Sequence, residues 1–446
     1  MSTRFVNIDR ETPMLFPEDM RRWLPENHLV HFIIEAINLI GVSAFRVNNR
    51  GTGDEQYPPE MMLALLVYSY VTGRFGSRTI EAATYTDVAL RYICGVSNHP
   101  DHSVICAFRK ENKEAFEETF TKILVLAKKL GKLKKVGNIS VDGTKVKANA
   151  SKHKAVSYKR AGEIIAEMEK EVQELMGMAE EADGKGLEEG LLIPEEIQRR
   201  EDRQAAMREA RAAMEEMYKE AEAEGTKKGK KLEEYQHNFT DGDSRIMKAG
   251  NGKHFEQSYN AQAAVDTEGS MLILGGYVTQ HGNDKQELEA IVKSVSEEVR
   301  EVSSVSADSG FFSEEAVKAV EKEDEEGKRT GPEVFCAVGK GKHGRSVDDL
   351  KKQSAPMDQP PETMTEKEKM EMKLATKEGK EIYKKRKETV EPVFGIIKSV
   401  IGFRQFMLRG LEKVDTEWAL VRVSYNFKRL HKLLGEKSLS RCLAYG

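Results

Sequence analysis

The chain has 446 residues, of which 39% are hydrophobic and 32% are charged, and its formal net charge at pH 7 is -4. This length suggests roughly two to four domains with packed cores, and the near-neutral charge excludes a uniformly basic protein but not local basic patches. No segment has the pattern of a signal peptide or a membrane span, and the four cysteines are widely spaced, so we expect a cytoplasmic protein with free thiols and no membrane partner.

Helical patterns fill the first part of the chain. The segments "ENHLVHFIIEAINLI" and "PPEMMLALLVYSYVTGRFG" carry broad apolar faces, and the second begins with prolines and ends with glycines, which are helix start and stop signals. We therefore predict a helical domain over residues 1–130. Its short helices and basic turns fit a domain for DNA binding or dimerisation, and they also fit a small helical domain that binds no DNA.

The hydrophobic period changes at Val136, where a short strand is predicted to end at Asp142. A second short strand, "KVKANA", is predicted after Gly143. Further along, "QSYNAQAAV" alternates between two faces and turns through "DTEG" into "SMLILGGYV", which predicts a β-hairpin.

Helices and strands alternate through the rest of the chain. We predict a helix over "KQELEAIVKSVSEEV", a strand over "VSSVSA" that ends before Asp308, a helix over "SEEAVKAVEKE" and a strand over "EVFCAV". A polar linker is predicted over residues 340–375, followed by a helix that carries Glu391. This order predicts an α/β fold in which helices cover a mixed sheet, and the domain extends over residues 131–446.

One block interrupts that order, over residues 155–235. Its apolar residues follow two heptad-like seams, joined by the glycine-rich segment "ADGKGLEEGLLIP". This spacing predicts an inserted helical hairpin of coiled-coil type. The hairpin would be either two helices packed only on each other or an arm that contacts DNA or a second subunit.

Three acids stand on elements that this fold would bring together: Asp142, Asp308 and Glu391. A cluster of carboxylates repels itself, and each buried charge costs several kcal/mol unless it is compensated. Mg²⁺ prefers oxygen ligands and binds carboxylates together with phosphate oxygens. The sequence therefore predicts a divalent metal site that acts on a phosphodiester. Taken singly, an Asp before a Gly is commonly a turn residue, and a Glu on a charged helix is commonly solvated.

Basic residues accompany the three acids. Lys398 lies seven residues after Glu391, which places it two turns along the same face of an α-helix. The other candidates for contact with DNA phosphates are two lysines after the first acid and residues on both sides of the third, namely Lys145, Lys147, Tyr383, Arg386, Lys387 and Arg404.

These segments resemble the DDE transposases of bacterial insertion sequences, in the RNase H-like superfamily that includes retroviral integrases. "VDGTKVKANAS" resembles their first-Asp segment, "SADSGFFS" their second, and "YKKRKETVEPVFGIIKSV" their third-acid helix. The family pattern around the third acid is Tyr-x2-Arg-x3-Glu-x6-Lys. Here four residues separate Arg386 from Glu391, so either Lys387 takes the arginine role or the helix deviates by one residue.

The resemblance implies an RNase H-like catalytic domain with Asp142, Asp308 and Glu391 as its catalytic metal ligands. It implies Mg²⁺, which Mn²⁺ can replace, cleavage of double-stranded DNA at transposon ends, and joining of the 3′-OH ends to target DNA. It also implies a homodimer in the DNA-bound complex, associated with the nucleoid. Two alternatives remain: a metal-dependent nuclease of the same fold without strand transfer, and a non-catalytic DNA-binding protein derived from a transposase.

Overall fold

A computed structural model describes residues 22–47, 56–95, 97–185, 193–223, 225, 229–249, 254–322, 324, 329–339, 365–435 and 439. The chain divides into two compact units. The first comprises Met1–Lys135, Glu268–Leu272 and Ala419–Gly446, and the second comprises Val136–Thr267 and Ile273–Trp418.

The described helices of the first unit lie mainly between residues 29 and 129. Its helices in chain order are α1 (Leu29–Ile40), α2 (Pro59–Val71), α3 (Ser77–Thr86), α4 (Val88–Cys94), α5 (His102–Glu111) and α6 (Lys113–Lys129). The side chains of Asp87 and Asp101 accept hydrogen bonds from backbone N–H groups at the starts of α4 and α5, which stabilises both helix starts. Helix α2 is buried from Met62 to Val71, so it forms the centre of this unit.

The second unit contains the mixed sheet that the element order predicts. Its strands are β1 (Val136–Lys147), β4 (Arg245–Ala249), β5 (His254–Asp266), β6 (Ile273–Gly275), β7 (Val278–Thr279), β8 (Glu301–Ala307) and β9 (Glu333–Cys336). The order is β4-β5-β1-β8-β9, with β6 and β7 also paired to β5. Strands β1 and β5 are antiparallel, whereas β8 is parallel to both β1 and β9.

The prediction that the first strand ends at Asp142 is wrong. Strand β1 continues through Gly143 to Lys147 as one element. The reason is that β5 is 13 residues long and pairs with β1 as far as Lys147, so the Asp-Gly step stays within the ladder. The pairing with β8 ends at Ser140. Asp142 therefore lies just beyond the end of β8, in a strand paired on its other edge.

The helices of the second unit differ from the predicted ones at their ends. Helix α9 (Glu287–Lys293) is shorter than predicted. Helix α10 (Glu314–Glu321) agrees. The predicted linker overlaps helix α11 (Glu366–Ala375). Its N-cap residue, Thr365, forms a capping box with Glu368, which stabilises the start of the helix. The rest of that linker, residues 340–364, lies outside the described residues.

The third acid lies on a helix that changes its winding. Helix α12 (Lys377–Gly395) carries Glu391 and is followed by a π-helical segment, Ile396–Ile401. The π segment ends at Gly402, whose φ is 89°. The last helix, α13, runs over Leu411–Leu433. Such π-helical turns occur frequently at functional sites.

The inserted block forms helices α7 (Tyr158–Lys185) and α8 (Ile193–Ala223). The short strands β2 (Ala155–Ser157) and β3 (Gln236–Asn238) pair antiparallel where the block leaves and rejoins the chain. Arg200 pairs with Glu171, and Arg208 pairs with Glu169, across the two helices. The hairpin has a core of its own, formed by Val156, Ala161, Ile164, Ile165, Met168, Met207, Ala210, Met214 and Tyr235.

Within the part of the chain that the structure describes, no helix is both long enough and apolar enough to cross a lipid bilayer.

Candidate active site

The three predicted acids meet at one guanidinium group, that of Arg386. Its Nη2 lies 3.2 Å from Asp142 Oδ2 and 3.8 Å from Asp308 Oδ2. Its Nη1 lies 3.1 Å from Glu391 Oε1. The Arg386 side chain is only 7% exposed, so these ion pairs are shielded on the arginine side. The structure thus brings all three carboxylates to a common point.

Each acid reaches this point from a different element. Asp142 projects from β1, Asp308 follows the last residue of β8, and Glu391 projects from α12. Backbone N–H groups orient the two aspartates: Gly143 N donates to Asp142 Oδ1 at 2.9 Å, and Gly310 N donates to Asp308 Oδ1 at 2.7 Å. The side-chain exposures of Asp142, Asp308 and Glu391 are 18%, 39% and 49%. The site is therefore open to solvent on the side of Glu391.

Burial controls the protonation of Asp142. It raises the pKa of this carboxyl to about 7, against the opposing effect of Arg386, and the charges of Asp308 and Asp284 raise it further. Burial also raises the pKa of the Cys336 thiol to about 12, and this thiol donates to the backbone oxygen of Asp308. Burial is thus the main cause of both shifts, and it favours the neutral forms of the Asp142 carboxyl and the Cys336 thiol.

The carboxylates have the chemistry to hold a hard divalent cation, because Mg²⁺ and Mn²⁺ take oxygen ligands of this kind. The arrangement seen here uses a guanidinium as the compensating cation instead. Among the described residues, no group of three or more His, Cys, Asp or Glu side chains stands close enough together to hold a metal ion as it is. The residues fit a metal in their chemistry, and a shift of Arg386 or of one carboxylate would be needed to bind it.

The structure distinguishes between the two candidates for the arginine position. Arg386 contacts the acids, whereas Lys387 is exposed. Arg386 stands five residues before Glu391, and its long side chain spans that interval along one side of α12. Tyr383 lies one turn before Arg386. Burial is the main cause that raises the pKa of Tyr383, and the charges of Arg386 and Asp308 also act on it, so Tyr383 borders the site.

Lys398 is joined to the strand that carries the first acid. Its Nζ donates to the backbone oxygen of Lys145 at 2.7 Å. The chain winds as a π-helix from Ile396 to Ile401, so the residue spacing of an ordinary α-helix does not hold over the whole interval from Glu391 to Lys398. Burial lowers the pKa of both Lys145 and Lys398. An ammonium group has three donors, so the contact with β1 leaves Lys398 able to bind a phosphate.

Further basic residues continue from Lys398 along the end of β1. Arg404 Nε donates to the backbone oxygen of Lys398 at 2.9 Å, and Lys147 N donates to the backbone oxygen of Arg404 at 3.2 Å. Arg409 Nε donates to the backbone oxygen of Asn149 at 2.9 Å. These bonds hold the basic side chains in order beside the strand.

We call the cavity beside this end of β1 the basic groove. Its volume is about 590 Å³. Its lining includes basic side chains and histidines, namely Lys147, Lys152, His153, Lys154, His254 and Arg409. The carboxylate of Glu256 also lines it. The exposed ring of Phe255 also lines it. Such a combination suits a nucleic-acid backbone.

Sequence reasoning missed Asp284, which accepts hydrogen bonds on Oδ1 from Asn260 and Gln262 at 2.7 Å each. The fully buried Asn260 and Gln262 form part of the polar face of β5. The sequence "SYNAQ" shows the alternation of polar residues with Tyr259 and Ala261 along this strand. A polar strand face is usually solvated, so its burial against another acid could not be read from the pattern alone.

Comparison with known families gives two matches. Residues 18–111 match a transposase domain, DUF772, and residues 347–431 match a transposase DDE domain. The second match contains Glu391, Arg386 and Lys398, whereas Asp142 and Asp308 precede it. Searches of curated proteins and of solved structures returned no match.

Proposed function

We propose that this chain, which the two family matches identify as a DDE transposase of the insertion-sequence type, cleaves DNA at the ends of its own element and joins the released 3′-OH groups to target DNA. The observation that carries the proposal is the convergence of Asp142, Asp308 and Glu391 on Arg386. These are the three acids that a DDE enzyme with an RNase H-like catalytic domain requires.

The catalytic residues in this proposal are the three acids, which would hold Mg²⁺ or Mn²⁺. Such ions activate a water or 3′-OH nucleophile and stabilise the leaving oxygen of the phosphodiester. In the absence of the metal, Arg386 supplies the compensating charge. The raised pKa of Asp142 means that this carboxyl must lose a proton before it can serve as a ligand near neutral pH.

The basic residues would hold the DNA backbone. We assign Lys145 and Lys398 to phosphates next to the scissile one, because both ammonium groups belong to the region around Asp142. Lys147 and Arg404 would contact the DNA backbone between these phosphates and the basic groove. From Asp142 to Lys147 a strand spans roughly 17 Å, which corresponds to about five base pairs of duplex. Point charges of this kind position a duplex without reading its sequence.

The other parts of the chain support assembly on DNA in this proposal. The helical unit, much of which lies in the DUF772 match, would bind the terminal repeats or a second subunit. The hairpin of α7 and α8 has its own core and pairs of charges across its helices, so it can act as a rigid arm in a DNA-bound homodimer. An enzyme that acts on chromosomal DNA would be located in the cytoplasm, at the nucleoid.

The experiment uses a plasmid that carries the inverted repeats flanking the gene, incubated with the purified protein and Mg²⁺. We expect Mg²⁺-dependent cleavage at the repeat ends, followed by joining of those ends to a second plasmid. Cleavage without joining would indicate a nuclease, and binding without cleavage would indicate a non-catalytic protein. Asp308→Ala should abolish cleavage and keep DNA binding, whereas the exposed Glu388→Gln serves as the matched control on α12. Normal cleavage by Asp308→Ala would exclude the assigned site.

A further inference from the structure

Asp284 lies between β7 and α9, outside the three acids assigned above. Its Oδ1 accepts hydrogen bonds from Asn260 Nδ2 and Gln262 Nε2, both at 2.7 Å. The Lys145 ammonium lies 3.9 Å from the same oxygen. The side chains of Lys145 and Asp284 are 23% and 18% exposed, so this ion pair is screened less than one on the surface.

The Asp284 side chain approaches β1 closely at Gly143, which has no side chain. A Cβ added at Gly143 would lie 2.4 Å from Asp284 Oδ1 and 2.5 Å from Gln262 Nε2. Both distances are far below van der Waals contact, so no larger residue fits without displacing this group. Gly143 is therefore required for close approach of a neighbour within a strand, which is a different reason from the turn suggested by an Asp-Gly pair.

Gly310 plays a similar part on the other side of Asp284. A Cβ there would lie 2.8 Å from Asp308 Oδ1 and 3.6 Å from Asp284 Oδ2. Asp284 thus sits between two glycines, which follow Asp142 by one residue and Asp308 by two. The charge of Asp284 also acts to raise the pKa of Asp142. These relations put a fourth carboxylate at the edge of the three-acid site.

The same two amides each have a buried oxygen. Among the described residues, Asn260 Oδ1 and Gln262 Oε1 have no hydrogen-bond partner, and both residues are fully buried. Asn260 Oδ1 lies 2.9 Å from the position that a Cβ of Gly143 would occupy. A buried acceptor without a donor is unfavourable, because it has lost its hydrogen bonds to water. Both amides use their N–H donors to hold Asp284, and this leaves Asn260 Oδ1 beside Gly143 able to accept a hydrogen bond.

We propose that Asp284 is a positioning residue of the active site, which holds the Lys145 ammonium beside Asp142 so that it meets the DNA phosphate next to the scissile one. This inference rests on the proposed function. Asn260 and Gln262 fix the orientation of the carboxylate, and Gly143 leaves the space for it. Asp284 acts through Lys145 and need not touch the DNA itself.

The test is a double-mutant cycle between Asp284→Asn and Lys145→Met. The asparagine keeps the size of the side chain and removes its charge. We expect each single variant to lower the single-turnover cleavage rate by roughly 10- to 100-fold, since small misplacements near a reacting group have effects of this size. The double variant should be no slower than Lys145→Met alone, because Asp284 acts only through Lys145. Glu289→Gln, a half-buried acid on α9 paired with Lys293, is the matched control and should keep the wild-type rate.

A second measurement separates positioning from a purely structural role. Binding of plain duplex DNA at several salt concentrations should keep its slope in Asp284→Asn, because Lys145 stays charged, and should lose about one unit of slope in Lys145→Met. The inference would be overturned if the fold-losses in rate of the two single variants multiplied in the double variant. An unchanged cleavage rate in Asp284→Asn would also overturn it. If Asp284→Asn fails to fold, Asp284→Ser, which also removes the charge, provides the same cycle with Lys145→Met. Normal cleavage by Asp308→Ala would instead reject the three-acid site on which the proposed function rests.

Discussion

Lys398 donates a hydrogen bond from Nζ to the backbone oxygen of Lys145 at 2.7 Å, so the π-helical segment after the third acid is tied to the strand that carries the first. The two residues are 253 positions apart in the chain. Burial lowers the pKa of this ammonium group, and the negative charge of Asp142 acts against that shift.

Replacement of Lys398 by Ala should weaken DNA binding about equally for different sequences. Loss of one phosphate contact lowers the slope of log K against log salt by about one unit. Cleavage should slow as well, because the scissile phosphate is held less firmly. Binding titrations at several salt concentrations check this. The control is Lys384→Ala, an exposed lysine on α12, and equal slopes for the two variants would contradict the assignment.

Replacement of Arg386 by Met should destabilise the metal-free protein. Breaking a buried ion pair costs about 3–5 kcal/mol, but Asp308 and Glu391 are 39% and 49% exposed, so a smaller loss of roughly 1–3 kcal/mol is expected. Added Mg²⁺ should raise the melting temperature of this variant more than that of the wild type, since it replaces the lost charge. Thermal unfolding with and without Mg²⁺ tests this, and an equal Mg²⁺ effect in both proteins would contradict a metal at this point.

The pKa of Asp142 predicts a pH dependence of both stability and activity. Because its folded-state pKa, about 7, lies above the unfolded value near 3.9, the folded state binds more protons between these limits. This carboxyl therefore lowers the free energy of unfolding as pH rises from about 4 to about 7, by up to a few kcal/mol. Asp142→Asn should remove that decline, which chemical denaturation at a series of pH values would measure.

The cleavage rate should increase with pH between about pH 4 and about pH 7, whereas the contribution of Asp142 to stability decreases. A metal ligand must be deprotonated, so cleavage at limiting Mg²⁺ should fall as pH decreases through about 7. Raising the Mg²⁺ concentration should move the midpoint to lower pH, because the metal competes with the proton. A midpoint that does not respond to Mg²⁺ would show that another group controls the rate.

The basic groove should carry part of the DNA affinity. A variant with Lys152, Lys154 and Arg409 all changed to Ala should lose roughly two to three units of salt slope. Its effect should appear only with duplexes that extend about five base pairs or more from the cleavage site. The matched control changes three exposed lysines elsewhere, namely Lys293, Lys318 and Lys384. Equal losses in the two triple variants would argue against a specific path through the groove.

The helical hairpin should be removable without unfolding the sheet. Strands β2 and β3 pair at its base, so a short Gly/Ser loop can join Ser157 to Gln236. The core of the hairpin belongs to its own segment. We expect a folded protein that keeps DNA binding and is impaired in assembly on paired ends. A deletion variant that is unfolded by circular dichroism would contradict this independence.

The sequence alone was sufficient for features that depend on local pattern. Heptad spacing predicted the hairpin, because two apolar seams joined by a glycine-rich turn have few other ways to become buried. Alternation and the turn after Asp266 predicted the β5–β6 hairpin. The three acids were found because each occupies a recognisable place: Asp142 and Asp308 follow apolar strand segments, and Glu391 lies on a basic helix with a family spacing.

Tertiary structure decided what depends on neighbours that are distant in sequence. Strand β1 continues past Asp142 because β5 pairs with it there, and no local signal at an Asp-Gly step records that partner. Arg386, rather than Lys387, meets the acids because only its position on α12 faces β1 and the end of β8. Asp284 joins the site through two amides of β5 and the missing side chain of Gly143. Ion pairs and close approaches of this kind depend on the packing of whole elements, which a pattern of residue types does not specify.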